Sequence, residues 1–115
     1  MKSCWMICLI GFLSACNQRD DQPVVMPVAS FEQLVVQYNC LGCHAPGNQM
    51  SLPVWHEVAK KYRNKADAEV YLSNKIRTGG SGAWGKMDMP PYQEITDDEL
   101  RIIVHGVLSS VKPGL

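Results

Sequence analysis

The clearest periodicity lies near the C-terminal end, where Leu100, Ile103, Val104, Val107 and Leu108 recur at helical spacing and make one apolar face. Thr96 and Glu99 form a capping box in front of it, and Asp97, Asp98 and Glu99 load the positive end of the helix dipole. This predicts a last helix ending near Ser110, before Pro113. Ser30 and Gln33 repeat the capping pattern ahead of Phe31, Leu34, Val35 and Tyr38, which predicts a first helix over 31–39. A second is expected from Pro53, placed as its first residue, to Tyr62, with Val54, Trp55, Val58, Ala59 and Tyr62 as its apolar positions. A third spans 67–78, with Ala68, Leu72 and Ile76 on one stripe and Val70 and Tyr71 beside it. Gly79 and Gly80 end it. Residues 45–52 and 79–92 carry glycine and proline and read as loop. No stretch alternates as a strand does. The pattern predicts an all-α domain of about four helices.

Before that domain the pattern changes character. Trp5 to Leu13 is almost continuously apolar behind Lys2, and it is too short for a bilayer, which takes about 20 residues. It ends in Leu13-Ser14-Ala15-Cys16, which resembles the lipobox of bacterial lipoproteins. The alternatives are an ordinary secretory signal cut nearby or an uncleaved anchor. On the lipobox reading residues 1–15 are a signal peptide and Cys16 carries the lipid, which holds the chain at a membrane surface. Residues 16–29, polar and then punctuated by Pro23 and Pro27, form a tether reaching about 45 Å when stretched, and 30–115 is the folded domain.

Charge adds little. Eleven basic and eleven acidic residues cancel, so the composition carries no nucleic-acid footprint. Lys60, Lys61, Arg63 and Lys65 cluster at the end of the second helix, where they suit its dipole and read as a solvated face; an acidic docking partner is the other reading.

The cysteines change the picture most. Of five, Cys4 and Cys8 leave with the signal and Cys16 takes the lipid, so Cys40 and Cys43 remain for the domain. They stand in Cys40-Leu41-Gly42-Cys43-His44, the C-x-x-C-H attachment sequence of a c-type haem. Two thiols at that spacing can each form a thioether to one porphyrin, and His44 can reach the iron. A zinc or thioredoxin-like reading has no second cysteine pair and no βαβ pattern to support it. The second axial position is either open, for gas or peroxide chemistry, or closed by a ligand such as methionine. Met50, Met87 and Met89 are available. Met89 is stiffened by Pro90-Pro91, Met87 lies in the same loop without that support, and Met50 is only six residues past His44. The alternative is that all three are apolar filler, and the stiffened loop favours Met89 as the ligand. His56 and His105 fall off the apolar faces, and Trp55, Tyr62 and Tyr71 read as core or haem packing.

Residues 31–111 resemble the short bacterial class I cytochromes c, the monohaem cytochrome c-551 type. The resemblance rests on Cys40 to His44, on Pro53 at a helix start, on the run from Gly82-Ala83-Trp84-Gly85 to Met89-Pro90-Pro91, and on Thr96-Asp97-Asp98-Glu99-Leu100. It implies one covalent haem c on Cys40 and Cys43, with His44 and Met89 as axial ligands. It further implies that the Pro53 carbonyl accepts the other ring N–H of His44, and that Trp84 and Lys75 lie near the haem propionates. Two positions depart from the family: Leu52 replaces a usual glycine, and Tyr92 replaces an asparagine that can hydrogen-bond the ligand sulfur.

The implied function is one-electron transfer between extracytoplasmic redox proteins of a respiratory chain, by a non-enzymatic, membrane-tethered monomer. The alternatives are an electron-entry subunit of an oxidase or reductase complex, and a haem sensor or peroxidase-like accessory with a labile methionine ligand.

Overall fold

A computed structural model describes residues 27–50 and 52–111. The expected signal segment, Cys16 and most of the tether lie outside the described residues. Five helices follow in order: α1 (Phe31–Gln37), α2 (Leu41–His44), α3 (Trp55–Tyr62), α4 (Ala68–Thr78) and α5 (Asp97–Ser109). The described residues contain no strand, only one isolated antiparallel bridge between Gly80 and Met89.

α5 is the hub, packing against α1, α3 and α4. Its predicted stripe of Leu100, Ile103, Val104 and Val107 is buried among Leu34 and Val35 of α1, Trp55, Val58 and Tyr62 of α3, and Ala68 and Leu72 of α4. Burying such side chains is the main drive for the fold, each contributing about 1.5–3 kcal/mol. Both capping boxes form. The Glu99 amide donates to Thr96 Oγ1 at 3.3 Å and the Thr96 amide to Glu99 Oε2 at 3.0 Å; Ser30 and Gln33 make the same reciprocal pair. Tyr38 also donates to Glu99 Oε2, at 3.1 Å, which ties the end of α1 to the start of α5. Phe31 lies so close to the α5 backbone that a Cβ at Gly106 would meet its ring.

Two helix boundaries differ from expectation, and each difference has a local cause. The first helix stops at Gln37 because Asn39 turns left-handed, at φ 52°. The Asn39 amide donates to Val36 O at 3.0 Å and the Cys40 amide to Val35 O at 2.9 Å, a Schellman ending. The chain reverses there, and the attachment motif winds into α2 as a separate turn. Gly42 fits because the Asn39 side chain sits beside it. Pro53 is not the first helical residue either. The N-cap is Val54, whose amide donates to Glu57 Oε2 at 3.1 Å, and α3 begins at Trp55. Pro53 therefore stays outside the helical ladder, with a carbonyl free for another donor.

Candidate functional site

One apolar cleft, partly open to solvent, is shared by residues of α2, α3, α4 and α5 and of the loops between them. Apolar side chains from α3, α4 and α5 form its walls, and Cys40, Cys43, His44 and Met89 all line it.

Cys40 is the N-cap of α2, and Cys43 and His44 occupy its last two positions. Both thiols are half-buried and free. Burial, followed by the neighbouring Cys43, pushes the Cys40 thiol up. The His44 ring makes its tautomer plain. Nδ1 lies 2.6 Å from the Pro53 carbonyl, which can only accept, so Nδ1 carries the proton and Nε2 keeps the lone pair that could bind a metal. Burial holds His44 below the usual imidazole value, opposed by that hydrogen bond, and this favours the neutral, ligating form. Trp55 stacks on the ring, with centroids 4.6 Å apart and planes at 26°. Trp55 is itself met edge-on by Phe31 at 6.2 Å.

The carbonyl of Pro53 reaches His44 because Asn48 shapes the loop between them. Asn48 Nδ2 donates to Ala45 O at 3.1 Å and Leu52 O at 2.9 Å, and the Leu52 amide donates back to Asn48 Oδ1 at 3.0 Å. No local pattern in the sequence marked Asn48. Leu52 itself lines the cleft.

The methionine wall is hung from α4. Gly79 ends that helix at φ 69°, and a Cβ there would collide with the Met89 carbonyl and the Pro90-Pro91 backbone. The Gly80 amide donates to Met89 O at 2.8 Å and the Met89 amide to Gly80 O at 3.2 Å. Beyond the prolines, the Tyr92 amide donates to Ile76 O at 3.0 Å. Arg77 then donates to the Gln93 and Ile95 carbonyls and pairs with Asp97 at 2.6 Å. In the sequence Arg77 was one more basic residue in a last turn. Ile95, only 1% exposed, stands just before the Thr96 cap, where an apolar residue staples to Leu100; that position was the available signal for it.

Met89 is half-buried, whereas Met87, also at the cleft, is 51% exposed, and Met50 is 42% exposed and does not line it. Trp84 and Lys75 stand at the rim, with Lys75 Nζ donating to Gly80 O at 2.8 Å. Tyr92 lines the cleft half-buried, and burial, then Cys40 and Cys43, raise its hydroxyl pKa. His105 is exposed and His56 half-buried, and neither lines the cleft. Tyr62 is core, while Tyr71 stacks on it at 5.0 Å with 39% exposure. No cluster of three His, Cys, Asp or Glu suited to a metal occurs among the described residues. The donor set fits haem c: two free thiols, one neutral imidazole with Nε2 left, and one thioether share a single apolar cleft.

Comparison with known proteins agrees. The family model described as Cytochrome c matches residues 30–110. The chain is 44% identical over 78 residues to cytochrome c-552 of Hydrogenobacter thermophilus, covering 68% of this chain and 79% of that one. It is 37% identical over 78 residues to cytochrome c-551 of Pseudomonas aeruginosa, covering 68% and 74%. The crystal structure of wild-type Nitrosomonas europaea cytochrome c552 superposes with a TM-score of 0.61 at 33% identity, covering 68% of this chain and 96% of that one. The chain belongs to the cytochrome c family as a short class I monohaem member, an electron carrier and not an enzyme, whose cofactor is one covalently attached haem c.

Proposed function

We propose that Cys40 and Cys43 carry the haem as thioethers, that His44 and Met89 close both axial positions, and that the protein passes single electrons between extracytoplasmic redox proteins of a respiratory chain. Haem iron supplies the Fe(III)/Fe(II) couple there, at the raised potential that His/Met ligation favours. The chain's own work is to hold two ligands still in an apolar surround, so that little reorganises when the charge changes. The observation that carries this reading is that both ligands are tied to backbone within one cleft: His44 Nδ1 to Pro53 O, and the Met89 peptide to Gly80 on both sides. Trp84 and Lys75 would meet the propionates on this reading, which their position in the cleft lining supports; Lys75 Nζ also donates to Gly80 O.

The test is carbon monoxide. Ferrous wild-type protein should bind it poorly, and Met89→Ala should bind it readily and lose its high potential. Ready binding by the wild type would sink the carrier reading in favour of a labile-ligand sensor.

Cytochromes c of this type act outside the cytoplasm, and no helix among the described residues is long and apolar enough to cross a membrane. The lipobox-like Leu13-Ser14-Ala15-Cys16 supports a lipid anchor at Cys16, with residues 17–29 as the tether. Cys16→Ser should then move the holoprotein from the membrane fraction to the soluble fraction. Equal membrane retention of both forms would remove the anchor.

A further inference from the structure

Within the basic cluster at the end of α3, Lys65 lies over the Tyr62 ring at 5.1 Å, and Lys61 reaches the cleft loop. Lys61 is exposed and lies outside the cleft, yet its ammonium donates to Ala83 O at 2.8 Å and sits 4.3 Å from the Trp84 ring centroid. Ala83 and Trp84 do line the cleft. They occupy a tight turn closed by the Gly82 amide on Gly85 O at 2.8 Å. Earlier in the same loop, Lys75 holds Gly80, the residue bridged to Met89. Two ammonium groups, one from α3 and one from α4, thus grip carbonyls three residues apart, Ala83 and Gly80, in the segment that presents the methionine. Lys60, next to Lys61 and equally charged, is exposed.

We propose that Lys61 is a positioning residue for the methionine ligand: by clamping the 82–85 turn to α3 and capping Trp84, it biases the loop towards the form that keeps Met89 in place. This rests on the His44/Met89 reading above. A charge-assisted hydrogen bond and a cation–π contact at a half-open site together change the held-to-released ratio of the loop about tenfold. Lys61→Met keeps the apolar stem over Trp84 and deletes the donor and the charge, whereas Lys61→Arg keeps both.

The experiment titrates ferric holoprotein with imidazole, which competes with Met89 for the iron, and follows loss of the iron–sulfur charge-transfer band. Lys61→Met should bind imidazole about tenfold more tightly than wild type. Lys61→Arg and the charge control Lys60→Met should stay within about twofold. Trp84→Leu should also tighten imidazole binding, and the double variant with Lys61→Met should fall short of the sum, because both changes release one turn. A role in stability alone would lower Tm and leave the titration unmoved. A Lys61→Met titration like wild type, a Lys60→Met titration like Lys61→Met, or an additive double variant overturns the clamp. If the wild type lacks the iron–sulfur band, the axial assignment of Met89 fails first, and the two failures are distinct.

Discussion

The helical frame and the two cleft loops are built by different means. In the frame, α1, α3 and α5 bury apolar stripes against one another, and both capping boxes form from side chains within one turn. In the loops, residues 45–54 and 79–95 are held by scattered hydrogen bonds to backbone carbonyls: His44 to Pro53, Lys75 to Gly80, Arg77 to Ile95, Tyr92 to Ile76. The frame packs on itself. The loops line the apolar cleft. Stability therefore belongs mainly to the frame, and the placing of His44 and Met89 to the loops that bond them.

The largest break in that division should come from preventing attachment. Cys40→Ser with Cys43→Ser should cost the fold at least about 4 kcal/mol, the scale of a tight ligand bound only to the native state. Hydrogen exchange should show the amides of Gly80 and Met89 losing protection well before those of α5. Uniform loss would mean that frame and loops are one unit.

Next, two glycines separate the regions directly. Gly79→Ala meets a positive φ and the Met89 carbonyl together, and should cost about 2–3 kcal/mol while visibly weakening the iron–sulfur band. Gly106→Ala drives a methyl into Phe31, and should cost about 1–2 kcal/mol after the gain in helix propensity, with the band intact. Thermal melts paired with spectra of the two variants check both halves. A weakened band in Gly106→Ala would erase the distinction.

The smallest effect is in pH. The Thr96 hydroxyl and amide, with Tyr38, hold Glu99 below its ordinary value of 4.5. A carboxylate depressed on folding stabilises above its unfolded value and loses that contribution as pH falls through the folded one. Acid melts of wild type should therefore fall off more steeply below about pH 4.5 than those of Glu99→Gln. Imidazole titrations of the two forms at neutral pH should coincide.

How legible each region was follows the same line. The stripe of α5, the caps at Ser30 and Thr96, and the Gly79 stop depend on residues a few positions apart, and each stands where periodicity put it. Pro53 was misplaced by two residues because proline suits both the first helical position and the extended backbone before a cap; only its bond to His44 separates the two. The Asn39 reversal had a weak local cue, asparagine being tolerant of the left-handed region. Arg77 and Lys61 had none, since each acts on carbonyls that only folding brings near, and Asn48, though its partners are local, belongs to no periodic or capping pattern.

By itself, the sequence determined the chemistry and the frame: the cysteine spacing and the adjacent histidine, the helices, the breaks, and a short set of methionines. Those are properties of covalent order and of apolar period, which need no partner from elsewhere in the chain. Tertiary structure decided which methionine is half-buried at the cleft, which nitrogen of His44 is left for a ligand, and which lysine of a solvated-looking cluster grips the loop. Each of these depends on a contact that no sequence pattern fixes, Met89 at the cleft, His44 against Pro53 and Lys61 against Ala83, and such contacts exist only once the helices have packed and the loops have closed between them.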